Sequence, residues 1–244
     1  MSYTFNQKVV FVTGANRGIG AALVRALLKQ PVSKIYAAAR DLQSLPNFGD
    51  ARVVPIKLDI ADRISTAKAA NDAADTQVLF NNAGALSMTP VLEGPLELIA
   101  RDMDVNYYGT LNATRAFVPV LEANAGTNGA GAILNTISIV GLSPMAGVAG
   151  YSASKAALHS LTQSLRTLLK PKNITVHGIY PGPIDTDMAK DFDLPKTSAD
   201  ETAANILNAY ISGQEDIFPD GMSAQLSQLW DKNPKELERQ FAAM

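Results

Sequence analysis

Short, wholly apolar runs alternate with amphipathic stretches over the first three quarters of this chain, and that alternation leaves few folds open. Val9-Val10-Phe11-Val12, residues 34–39, residues 53–58, Val78-Leu79-Phe80, residues 132–137 and residues 174–180 read as strands. Residues 21–28, 62–74, 96–123 and 151–169 carry apolar side chains at helical spacing, the third stretch being broken near Asn106. Residues 124–131 are too rich in glycine for anything but a loop. Strands that are apolar throughout, with helices between them, pair in parallel, because a parallel pair needs a long crossover. The expected class is therefore α/β, a doubly wound parallel sheet that binds ligands outside the carboxyl ends of its strands.

No repeat, linker or low-complexity segment divides the 244 residues, so residues 1–244 are expected to form one domain. The last 45 residues are more polar, with a short strand at Ile217-Phe218 and a terminal helix. They read as an extension of the same sheet.

What the chain lacks narrows its chemistry. It has no cysteine, which excludes disulfides, thiolate metal sites and a cysteine nucleophile. Its two histidines, His159 and His177, are too few for a His-rich metal centre, so no metal is expected. Lys and Arg number 21 and Asp and Glu 23, a net charge of −2 that offers no basic face to nucleic acid. No run reaches the roughly 18 apolar residues of a membrane span, and the polar first residues do not read as a signal peptide. A cytoplasmic location is the expectation.

Thr13-Gly14-Ala15-Asn16-Arg17-Gly18-Ile19-Gly20 joins the first strand to the first helix. Glycines at such a turn let the backbone turn tightly and approach a pyrophosphate, which the helix N-terminus then holds. The spacing G-x-x-x-G-x-G differs from the general G-x-G-x-x-G fingerprint, so the turn alone is weaker evidence than its strand-turn-helix context. Arg40 follows the second strand, twenty residues after Gly20, where an arginine suits the 2′-phosphate of NADP and an acid the ribose of NAD. Arg17 adds a second positive charge inside the turn. NADP is favoured over NAD, with Asp41 left as the group that would serve an NAD ribose.

Tyr151-Ser152-Ala153-Ser154-Lys155 opens the helix after the fifth strand, and the spacing of four puts Tyr151 and Lys155 on one face. An ammonium near a phenol is expected to lower the phenol pKa from about 10 toward a useful range. Ser138, thirteen residues earlier, lies at the carboxyl end of its strand, where its hydroxyl is placed to hold a substrate oxygen. A Y-x-x-x-K pair alone is weak; the glycine turn and Ser138 give it weight.

With these residues in place the sequence resembles the short-chain dehydrogenases/reductases, in the branch with one Rossmann domain. The similarity runs from about Lys8 to Met188 and includes the glycine turn, Asp59, Asn81-Asn82-Ala83-Gly84, Asn106, Ser138, Tyr151, Lys155 and residues 180–186. The resemblance implies that Asp59 and Ile60 line the adenine, and that Asn82, Ala83 and Gly84 support the sheet beside the cofactor. By the same resemblance Pro181, Gly182, Ile184 and Thr186 flank the nicotinamide. Asn106 would bend its helix and hold a water in a relay to Lys155. Arginines at positions 17 and 40 resemble the NADP-preferring members. The implied activity is hydride transfer to an aldehyde or ketone, with Ser138 stabilising the oxyanion, Tyr151 donating the proton and Lys155 also holding the ribose. Family ends such as residues 190–244 often close the substrate site and build subunit contacts, so a homodimer or homotetramer is expected.

Leu86, Ile139, Leu142, Met145, Val148 and Met188 are expected to line the substrate pocket, which points to a small-molecule carbonyl or alcohol with an apolar substituent. The short segment between Thr186 and the helix near Ser198 suggests an open or shallow site. Two other readings stay in view: a catalytically silent NADP-binding regulator on the same fold, and an isomerase or epimerase. The complete Asn106, Ser138, Tyr151 and Lys155 set argues against the first. The second usually goes with a longer substrate domain.

Overall fold

The computed structural model describes residues 3–126 and 130–243. The first half contains β1 (Val9–Thr13), α1 (Gly18–Leu28), β2 (Lys34–Ala39), β3 (Val53–Lys57), α2 (Arg63–Asp72) and β4 (Val78–Asn81). Then come α3 (Leu96–Met103), a π turn (Asp104–Gly109), α4 (Thr110–Asn124), β5 (Gly131–Thr136), α5 (Ala149–Leu169) and β6 (Ile174–Ile179). The last part holds β7 (Ile184–Asp185), β8 (Thr197–Ser198), α6 (Ala199–Ile211), β9 (Asp216–Ile217), α7 (Gly221–Lys232) and α8 (Pro234–Ala242). Seven strands form one sheet in the order β3-β2-β1-β4-β5-β6-β9, every pair parallel, while β7 and β8 pair separately. This is the expected Rossmann-type doubly wound sheet.

Continuous apolar runs are needed because both faces of the sheet are buried. Successive side chains on a strand point to opposite faces. Val10, Val12 and Phe80 pack with Leu23 and Leu27 of α1 and Ile206 of α6, whereas Phe11, Leu79 and Ile133 pack with Phe117 and Leu121 of α4 and Leu165 of α5. Both histidines belong to this framework. His177 shares a hydrogen bond with the Gln214 carbonyl and His159 one with the Tyr180 hydroxyl.

The helix break expected near Asn106 is the π turn, in which a wider hydrogen-bonding loop replaces one α turn. The stretch read as a loop at 124–131 is shorter than expected: Asn124 ends α4, its side-chain amide bonding the carbonyls of Ala74, Thr76 and Val120, and Gly131 begins β5. Residues 127–129 of that stretch lie outside the described residues. Helix α1 starts three residues earlier than its apolar pattern, at Gly18. Among the described residues no helix is long and apolar enough to cross a membrane.

The Phe117 ring is fully buried and 4.6 Å from that of Phe11, centroid to centroid, joining α4 to β1. Phe117→Ala is expected to cost about 3–5 kcal/mol, read as a lower denaturant midpoint with an unchanged slope.

Candidate active site

A cleft of about 780 Å³ crosses the carboxyl ends of β1, β2, β4, β5 and β6. It opens where the strand order reverses, since β1 pairs with β2 on one side and β4 on the other. One end is built by the glycine turn. Gly14 and Gly18 have φ of +65° and +53°, a region that favours glycine. A Cβ on Gly20 would lie 2.0 Å from the Gly14 carbonyl oxygen, so α1 sits as close to the turn as backbone permits. The Thr13 hydroxyl donates to the Phe80 carbonyl and accepts from the N–H groups of Asn82 and Ala83. Asn82 in turn donates from its side-chain amide to the carbonyls of Thr13 and Gly14. The first turn of α1 has no side-chain cap and no acidic residue, leaving its N–H groups available to an anion.

Arg40 and Asp41 both line this end. The Asp41 carboxylate is engaged, accepting the Gln43 N–H at 3.0 Å, while Arg40 is exposed and has no ion pair or hydrogen bond among the described residues. Arg17 differs from the expectation. Its guanidinium is paired with Asp187 at 3.2 Å, joining the glycine turn to the segment after Thr186. Both partners are largely exposed, so the pair adds little stability.

The other end gathers the hydroxyl, phenol and amine. Ser138 caps a 3₁₀ turn (Ile139–Gly141), and its hydroxyl donates to the Pro181 carbonyl at 3.3 Å. Tyr151 and Lys155 rise from the first turns of α5, with the Lys155 ammonium 5.6 Å from the Tyr151 ring centre. Lys155 is nearly inaccessible and donates to the Thr136 carbonyl at 2.8 Å. Burial draws its pKa down to about 7, against the opposing charge of Asp102. Burial also dominates at Tyr151, where it raises the phenol pKa; the Ser138 hydroxyl opposes this and the Asp102 charge adds to it. The expected lowering by Lys155 is therefore overturned in this site. The desolvation of the phenol outweighs any attraction from an amine that is itself directed at a backbone carbonyl.

Of the residues singled out from the sequence, all line the cleft except Gly20, Asn106 and Leu142. Gly20 acts by close packing. Asn106 stands behind the wall, donating to the Ala85 carbonyl and the Ser154 hydroxyl and accepting the Ala85 N–H, each within 2.9 Å. Both amide protons are thus committed to protein, and its side chain has none to give a water. Leu142 follows the 3₁₀ turn and packs both with Ile137, Leu158 and Tyr180 and with the cluster of Ile139, Leu226 and Phe241. Asp59, Ile60, Ala83, Gly84, Ile184 and the remaining predicted residues line the cleft.

Sequence reasoning missed the far wall. Phe192 and Leu194 from the segment after Thr186, with Met222, Leu226 and Phe241 from the C-terminal helices, also line the cleft. The site is accordingly less open than the short segment suggested. Asp220 was missed too: its buried carboxylate accepts the Gly182 N–H at 2.8 Å while capping α7, which ties those helices to the 181–182 loop. The polar-apolar pattern of 221–241 signals an amphipathic helix pair but not the surface it covers.

A sequence profile for the short chain dehydrogenases matches residues 8–196. The chain belongs to the short-chain dehydrogenase family. A short-chain dehydrogenase from Burkholderia cenocepacia, crystallised in complex with NADP, superposes with a TM-score of 0.91 at 37% identity, covering 98% of each chain. The NADPH-dependent 1-acyldihydroxyacetone phosphate reductase of Schizosaccharomyces pombe is 33% identical over 74% of this chain, which spans 61% of that relative's length. An uncharacterized oxidoreductase of Staphylococcus epidermidis is 31% identical over 84% of this chain and 90% of its own. Family membership makes the chain a nicotinamide-dependent oxidoreductase.

The depressed Lys155 pKa has a sign that can be tested. Between about 7 and the ordinary lysine value the unfolded chain binds this proton and the folded chain does not, so Lys155 makes stability rise with pH across that window. Lys155→Met removes the contribution. The stability advantage of Lys155→Met over the parent is expected to be largest near pH 7 and to shrink toward pH 10, measured by denaturant unfolding; a constant difference would contradict the assignment.

Proposed function

We propose that the chain is an NADP(H)-dependent carbonyl reductase that converts an aldehyde or ketone with an apolar substituent into an alcohol, reversibly. The observation that carries this reading is the meeting of Ser138, Tyr151 and Lys155 at one end of a cleft whose other end is the glycine turn. The residues fit a dinucleotide. Gly14, Gly18 and Gly20 keep the turn free of side chains, the uncapped start of α1 suits the pyrophosphate, and Arg40 suits a 2′-phosphate. Asp41 remains the group that would serve an NAD ribose. The NADP complex of the Burkholderia relative supports the preference for NADP.

When bound, the cofactor supplies the hydride. The chain's own groups do the rest. The Ser138 hydroxyl is placed to hold the carbonyl oxygen, and Tyr151 to give it a proton as negative charge develops there. The phenol is protonated at neutral pH, as proton donation requires. Lys155 would hold the nicotinamide ribose and, when protonated, stabilise the phenolate left behind. Asn106 keeps the 85–87 loop and α5 in register around these groups. Ile139, Met145, Val148 and Leu86 supply apolar walls, with Met188, Leu226 and Phe241 opposite.

Loss of the reduced-nicotinamide absorbance, followed with a panel of apolar aldehydes and ketones, tests this directly. NADPH should be consumed, and Tyr151→Phe should lower kcat by about 10²–10⁴-fold. Absence of turnover with every carbonyl would sink the reading, and an unimpaired Tyr151→Phe would sink the mechanism. Arg40→Ala should raise the KM for NADPH roughly tenfold or more and leave that for NADH unchanged, since one charged hydrogen-bonding partner of the 2′-phosphate is lost.

A further inference from the structure

Asp102 is a fully buried carboxylate that takes no part in the hydride and proton transfers. It precedes Asn106 by four residues on the same helical face, and the two side chains grip one loop. Asn106 holds Ala85 through both its N–H and its carbonyl. Asp102 holds Ser87, accepting the backbone N–H at 3.1 Å and the hydroxyl at 2.9 Å. Leu86, between the two gripped residues, lines the substrate end of the cleft. An apolar side chain at 102 would pack without a desolvation cost, whereas a buried carboxylate is expensive unless its charge is used or matched. The only full charges acting on it are those of Arg101, its neighbour on α3, and Lys155. Lys155 faces the Thr136 carbonyl from β5, the Tyr151 ring on its own helix and, across Gly84, the Asn106 amide from the π turn. Among the described residues it has no salt bridge, and Asp102 is the one carboxylate whose field reaches it.

We infer that Asp102 is a positioning residue for the reaction: through Ser87 it fixes the loop that presents Leu86 to the substrate, and its charge favours the protonated form of the buried Lys155 amine beside Tyr151. The inference rests on the proposed roles of Tyr151 and Lys155 in carbonyl reduction. Burial alone would leave Lys155 a neutral amine through much of the physiological range, and a neutral amine does nothing for the phenolate formed on proton donation. The same negative charge opposes ionisation of the phenol, so Asp102 biases both members of the pair toward their protonated forms.

Asp102→Asn separates the charge from the grip, because its amide oxygen can accept the Ser87 N–H while its NH₂ donates to the Ser87 hydroxyl. With saturating NADPH and a reducible carbonyl, its basic limb of kcat should move down by about one pH unit, roughly a tenfold loss at a fixed pH above that limb. Asp102→Glu should return the limb toward the parent position. Superimposable profiles for the parent and Asp102→Asn would overturn the inference, whereas a parent inactive with every carbonyl would instead overturn the functional reading. Carboxyl ¹³C NMR gives an arm independent of turnover and of the Asp102 variants. The Asp102 titration should move to higher pH in Lys155→Met than in the parent, since the ammonium that favours its ionised form is gone. An unmoved titration would refute the coupling.

Discussion

The parallel pairing of β1 with β4, rather than with β3, is the constraint on which the rest of this molecule depends. It sends the chain to one side of β1 first and to the other afterwards, so the loops leaving β1 and β4 diverge and a crevice opens between them. Nothing else in the fold could place the glycine turn beside Asn82, Ala83 and Gly84. Once it does, the Thr13 hydroxyl and the Asn82 amide stitch the two strand ends together with four hydrogen bonds to backbone groups, besides the one from Thr13 to Phe80. The crevice is thereby a fixed feature of the buried sheet. Its walls do not rely on exposed loops finding each other.

The chemistry sits in a second layer of buried polar contacts. Lys155 is tied to the end of β5, Ser138 to the loop after β6, and Asn106 joins the loop after β4 to α5. Each of these contacts spans elements far apart in sequence, and each is enclosed by apolar packing. That enclosure explains the electrostatics. Burial pushes the phenol up and the amine down, which by itself would produce a neutral pair. Asp102 acts on both in the same sense, against the neutral amine and for the neutral phenol, so one buried carboxylate partly offsets the effect of burial on the amine.

Much of this was legible in the residues. The strands could be read because a sheet buried on both faces demands unbroken apolar runs, and the proposed catalytic pair could be read because Tyr151 and Lys155 share a helix whose period fixes their common face. Asn106 marked a real break, though its spacing could not show that the break is a π turn or that its amide is spent on Ala85 and Ser154. Other features depend on contacts that local pattern does not encode. Arg17 meets Asp187 only because the chain returns over the cleft after β7. Leu142 follows a 3₁₀ turn and packs with Tyr180 and with Leu226 and Phe241 without lining the cleft, which its nearness in sequence to Ser138 does not reveal. Asp102 reads as a solvated charge on an amphipathic helix until the 85–87 loop is seen to cover it. The wall made by Met222, Leu226 and Phe241 belongs to helices whose own sequence shows an apolar face but not its partner.

The proposed reaction turns on direct hydride transfer to a carbonyl carbon held between Ser138 and Tyr151. Single-turnover reduction of an apolar aldehyde or ketone with NADPH deuterated at the transferring C4 position tests this most directly, with the product examined by mass spectrometry. The expected product is an alcohol carrying one deuterium on its carbinol carbon. An alcohol formed without that deuterium, whichever C4 face is labelled, would contradict direct transfer.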